Sequence, residues 1–147
     1  MRISEHFTDL DVGFDLLAQK SKIDNTPPRA ALLAAEKVAE NILEPLREQF
    51  DFRIVSWYRS AALEREYCKG SYYDWLREAG LPFNETNWAR YLADKQHILG
   101  CAVSLISNQS TAVFEWLQTQ TFDVLQMRGN YIHVSWVEGA NRKIVLS

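Results

Sequence analysis

Residues 97–104 read HILGCAVS. A histidine stands ahead of a glycine, small residues and a β-branched run, and this pattern predicts a strand over Leu99–Ile106. A metal-binding stretch of this shape closes on an acidic ligand, and Ser104 occupies that place. Upstream, Phe52–Trp57 alternates with β-prone residues and predicts a strand ending at Tyr58-Arg59-Ser60. Downstream, Gln109–Gln120 predicts a helix, and strands are expected at Phe122–Met127, Tyr131–Val137 and Lys143–Leu146. Gly129-Asn130 is the expected turn of a hairpin.

Further upstream the period changes to that of helices. Residues 7–20 predict a short helix with Phe7, Leu10, Phe14 and Leu17 on one apolar face. Thr26 is a candidate cap before Pro27-Pro28, and a helix is predicted from Arg29 to Phe50. Leu32, Ala35, Ala39, Leu43, Leu46 and Phe50 form its expected buried stripe, and Pro45 should kink it or split off the last turn. Residues 61–95 read as polar, aromatic and mostly helical, broken near Gly80-Leu81-Pro82. Helices first and a largely antiparallel sheet later predict an α+β fold, organised as one domain over residues 1–147.

Composition narrows the function classes. A formal charge of -3 gives no reason to expect nucleic acid as a partner. The start, MRISEHFTDLD, lacks the apolar core of a secretory signal, and no apolar run approaches a bilayer span, so neither membrane nor export is expected. Cys68 and Cys101 lack CxxC spacing and are expected as free thiols.

Several stretches, in order, resemble the M15 peptidase family, which has the Hedgehog/DD-peptidase fold and includes zinc D-Ala-D-Ala carboxypeptidases and phage endolysins. They are SEHFT near the start, IDNTPP, ILEPLR, the strand ending in YRS, HxxGxA at His97–Ala102, FDVL, YIHVSW and the final NRKIVL. The resemblance implies that His97 and His133 stand at two zinc-ligand positions and that Arg59 stands where the family holds substrate. It also implies three departures. Ser104 replaces the aspartate ligand, Lys95 replaces a serine two residues before the first histidine, and Arg128 falls at the general-base glutamate, or Met127 if the register slips by one. The connection from Arg59 to His97 is longer than the family's, which leaves room for an added helical subsection.

These departures matter chemically. Catalytic zinc takes three protein ligands and an open position for water. Two imidazoles and an unionised hydroxyl offset none of the dication's charge. Side-chain alternation turns Cys101 away from Ser104 and argues against it as a substitute. Arginine cannot act as a base near neutral pH, and its charge would repel a dication by about 4 kcal/mol at ~4 Å and an effective dielectric near 20. Glu115 and Glu138 are alternative acids only in another register, and Glu138 has the wrong strand parity relative to His133.

The expectation is therefore a degenerate site, with His97 and His133 as vestigial metal positions and no cofactor. Arg59, Lys95 and Arg128 would form an anion-binding cleft. Its ligand would be a peptide, a peptidoglycan fragment or a protein partner. In the bland alternative, Lys95 and Arg128 are solvated charges on a decayed cleft. Two further alternatives remain: an active zinc-dependent peptidoglycan peptidase with a rearranged ligand set, and an interaction protein. The second would use Tyr67, Tyr72, Tyr73, Trp75, Phe83, Trp88 and Tyr91, interleaved with Lys69, Arg77 and Arg90. Trp88, Tyr91 and Leu92 have the spacing of a buried stripe. The resemblance further implies a phage protein in the host cytoplasm or the virion.

Overall fold

Side-chain alternation on the strands divides the molecule into a core and a cleft. In the computed structural model, which describes residues 1–92 and 95–146, five strands form one sheet in the order β1-β2-β4-β3-β5. They are β1 (Arg53–Ser56), β2 (Ala102–Ile106), β3 (Val124–Arg128), β4 (Tyr131–Ser135) and β5 (Ile144–Leu146). All pairings are antiparallel except β3 with β5. The architecture is mixed, with helices and a largely antiparallel sheet, as an α+β chain requires.

One face carries Val103 and Leu105 of β2, Ile132 and Val134 of β4, and Leu125 of β3. These residues share a continuous core with the long helical segment: α3 (Arg29–Val38), a wider π turn (Ala39–Leu43) and α4 (Glu44–Gln49). The expected stripe is seated on this core, with Ala35, Ala39, Leu43 and Leu46 fully buried and Leu32 and Phe50 partly so. Each large aliphatic chain removed from water contributes about 1.5–3 kcal/mol. Pro45 stands in the first turn of α4, where the segment divides after the π turn. It lacks the N–H that would continue the ladder, and the preceding turn widens so that the Glu44 N–H reaches Ala39 O.

The other corrections are local. Residues 7–20 fold as two one-turn helices, α1 (Asp9–Gly13) and α2 (Leu16–Lys20). Asp15 breaks them apart by capping α2 through the Ala18 N–H. Leu10 is consequently 79% exposed and Phe14 is exposed as well, while Val12 enters the core. Thr26 does not cap α3; it binds Asp24, and Pro28 holds the cap position. The strand expected from Leu99 starts only at Ala102, because Gln96–Leu99 forms a short helix, α8. Gly100 ends that helix in the left-handed conformation, at φ +82.

The 61–95 segment holds α5 (Ala61–Tyr67), α6 (Lys69–Ala79) and α7 (Glu85–Leu92). Tyr72, Leu76, Trp88, Tyr91 and Cys68 make a second, smaller core there, which accounts for roughly half of the segment's aromatics as packing. Tyr73 and Phe83 remain exposed and stacked on each other. The side chains of Leu92 and Arg90 lie outside the described residues. Gln109–Gln120 is helical over Ser110–Leu117, here α9. No helix among the described residues is long and apolar enough to cross a membrane.

Candidate functional site

Opposite the core face, the sheet forms the floor of a cavity of about 620 Å³, walled by α5, α6, α7 and α8. His97, Ser104, Arg128, His133, Arg59 and Lys95 all line it, so the residues singled out in the sequence converge in space. The His97 and His133 rings meet edge to face, with centroids 5.2 Å apart.

His97 is fixed from three sides. Its Nδ1–H donates to Trp57 O at 2.6 Å, which leaves Nε2 as the acceptor turned toward Ser104 Oγ at 3.3 Å. Its own carbonyl accepts from the Arg59 N–H. Trp57 Nε1 donates to Gly100 O, so strand β1 and helix α8 are tied by both backbone and side chain. Gly100 also permits the close approach of α8 to α3, since a Cβ there would stand 2.4 Å from Ala31 O.

The other quoted stretches interlock in pairs. Glu44 of ILEPLR accepts from Ser4 Oγ and the His6 N–H of SEHFT. Asn25 of IDNTPP donates to Gly13 O and Tyr58 O, and accepts from the Ser60 N–H. Asp123 of FDVL accepts two guanidinium bonds and a backbone bond from Arg142 of NRKIVL. It also accepts from Gln96, the neighbour of His97. Arg142 above all, then, holds the Asp123 carboxyl far below the usual carboxylate range.

Arg59 is not a free cation. Its Nη1 pairs with the buried carboxylate of Glu64 at 3.2 Å, and its Nε donates to Ser56 Oγ. Its guanidinium lies 3.7 Å above the Tyr67 ring. Tyr67 and Ser56 in turn donate to Asp15, and burial followed by that bond pushes the Tyr67 hydroxyl up to about 12. Cys68 Sγ donates to the other oxygen of Glu64. Burial, then Glu64, pushes this thiol up to about 11, so it stays protonated at neutral pH.

Strand pairing fixes the register around the hairpin. Gln126, not Arg128, stands directly across from His133, and Arg128 stands across from Tyr131 one step along the ladder. Arg128 lines the cavity, whereas Met127 turns to the other face and packs on the main core. Glu115 and Glu138 are exposed and do not line the cavity. Cys101 is buried in the main core, with Sγ 3.5 Å from Gln96 O. Lys95 Nζ sits 4.3 Å from the Tyr91 ring centroid. Gln126, Glu64 and Tyr131 were not singled out in the sequence. Gln126 can be counted from a two-residue turn at Gly129-Asn130, while the other two have no local signal.

No family model, curated protein or solved structure matches the chain.

The donor set can be weighed against a catalytic zinc. Two imidazoles face a neutral hydroxyl and an amide, and Glu64, the one carboxylate among the described residues that line the cleft, already serves Arg59 and Cys68. Among the described residues, no three His, Cys, Asp or Glu side chains are placed to share an ion. The set lacks, among the described residues, both the anionic third ligand and an unengaged base.

Both histidines are held neutral. Burial, then Arg59, then His133 lowers His97 well below its usual range. Burial first, with Arg59 and Arg128 adding, holds His133 at about 4. An unfolded histidine titrates near ~6.5, so between the two values only the unfolded chain binds the proton. This contribution is present in full above pH ~6.5 and is lost as pH falls toward 4. Urea unfolding at pH 7 and pH 5 should show wild type losing about 2 kcal/mol more than His133→Gln. Equal losses would remove the burial argument.

Proposed function

We propose that the chain is an M15-peptidase-like protein of the Hedgehog/DD-peptidase type whose cleft binds a negatively charged ligand without zinc-dependent cleavage. The observation that carries this reading is Ser104 Oγ standing 3.3 Å from His97 Nε2, where the resemblance expects a ligand carboxylate. The interlocking of the resembling stretches and the meeting of His97 with His133 support the fold assignment. With Arg59 matched by Glu64, Lys95 and Arg128 are left as the charges that favour an anion, such as the carboxylate of a peptide or of a cell-wall fragment. A phage origin and action in the host cell or virion follow from the resemblance alone.

Two measurements test it. Metal analysis of protein purified without chelator should find no stoichiometric zinc. Zinc at one per chain, lost in His97→Ala, overturns the reading in favour of a peptidase. Titration with a tripeptide bearing a free carboxylate should give saturable heat, weakened at least tenfold in the Lys95→Glu, Arg128→Glu double variant. Arg59→Ala is a poor probe here, because it strands Glu64.

A further inference from the structure

We infer that the cleft floor is a subsite for the sugar rings of an acidic saccharide, which rests on the anion-binding reading and names the ligand. The basis is a row of side chains that runs across the strands rather than along them. Ser104 of β2 pairs with His133 of β4, His133 with Gln126 of β3, and Gln126 with Leu146 of β5. All four line the cavity. Neighbouring strands lie ~4.8 Å apart, so a ligand lying across them meets an uncharged polar group at each of the three steps from β2 to β3, and the apolar Leu146 at β5.

That pattern suits a pyranose better than a peptide. An extended peptide recognised by a sheet pairs its backbone with a strand edge, and the face of a sheet offers no free N–H or C=O. Its same-side groups also recur about every 6.6 Å, twice the strand rise, which is out of step with the floor. Sugar hydroxyls both donate and accept. They are matched by a hydroxyl (Ser104), an imidazole (His133) and an amide that does both (Gln126).

The adjoining row supplies the other two elements of a sugar site. Tyr131 lines the cavity and is 55% exposed as a residue, which offers its ring as a flat apolar surface for a sugar face. Arg128 is its cross-strand partner, and Lys95 lies on the helical wall. Because Glu64 offsets Arg59, these two cations give the described lining of the cleft a net positive charge, which favours a saccharide bearing carboxylate.

Titration of the full chain with tri-galacturonic acid, neutral chitotriose and a carboxylate-terminated tripeptide tests the assignment. The acidic trisaccharide should bind saturably and at least tenfold tighter than chitotriose. Gln126→Ala and Tyr131→Ala should each weaken it about tenfold with unchanged melting temperature, while Gln19→Ala, which lines a different pocket, leaves it unchanged. Tripeptide binding without saccharide binding overturns the sugar assignment and leaves the anion-binding reading standing. Binding of none of the three overturns both. Equal affinity for chitotriose removes the acidic assignment, and binding insensitive to Gln126→Ala and Tyr131→Ala places the ligand elsewhere and overturns the subsite.

Discussion

Arg59→Ala is expected to cost about 3–5 kcal/mol of folding free energy, the range seen when one partner of a buried ion pair is removed. Glu64 is 3% exposed, and its carboxylate accepts from Arg59 Nη1 on one oxygen and from Cys68 on the other. Losing the guanidinium leaves a buried charge whose remaining hydrogen-bond donor, among the described residues, is the Cys68 thiol, and removes the cover over Tyr67. The penalty belongs to the stranded partner more than to the lost attraction. Arg59→Met combined with Glu64→Leu should therefore recover most of the stability. Urea denaturation of the two variants separates these terms, and a cost below about 1 kcal/mol for Arg59→Ala would falsify the buried-pair account.

Gly100→Ala is expected to cost about 3 kcal/mol, lowering the melting temperature by roughly 10 °C for a chain of this size. Two penalties add. A left-handed backbone disfavours any Cβ by about 1–2 kcal/mol, and the new methyl would sit 2.4 Å from Ala31 O and 2.9 Å from Ala31 Cα. Those are backbone atoms of α3, which cannot rotate aside as a side chain does, so α8 must move outward. That movement carries His97 away from Trp57 O, and the histidine ring signals should shift along with the loss of stability. A control at Gly80, where a Cβ meets nothing within 4 Å despite a similar φ, isolates the clash from the backbone term. Thermal melts that lower Gly80→Ala and Gly100→Ala equally would remove the close-approach argument.

The parts of the fold legible in the sequence are those whose physics is local and repeated. The stripe from Ala35 to Leu46 follows helical period over many residues, so it reads through even a π turn. Strands β2, β3 and β4 alternate over part of their length because one face meets the core and the other the cavity. Short elements read poorly. Ile98 and Leu99 are β-prone, yet a single left-handed glycine after them is enough to close a helical turn, and Leu99 is left exposed. Residues 7–20 carry a helical spacing that Asp15 interrupts by capping, which sends Val12 rather than Leu10 inward.

In the site, His97, Ser104, His133, Lys95 and Arg128 were within reach through the resembling motifs, and strand parity adds which way Ser104, Arg128 and His133 face. Glu64 was not. Its partner Arg59 is only five residues away, but the pairing crosses the turn between β1 and α5, which has no periodic signature, and it alters the charge of the cleft. Gln126 lay in between: counting back from Gly129-Asn130 places it opposite His133, but an expectation centred on a missing glutamate points two residues away.

The transverse row on the cleft floor has a consequence for how such a protein changes over time. Ser104, His133 and Gln126 each belong to a different strand, and the backbone bonds that join those strands do not involve their side chains. The apolar face that holds the sheet down lies on the alternate residues, Val103, Leu105, Leu125, Ile132 and Val134. Chemistry and cohesion are thus written on opposite sides of the same ribbon. A mutation can retype one letter of the cleft at little expense in stability, which leaves this surface free to drift from one ligand to another while the scaffold beneath stays put.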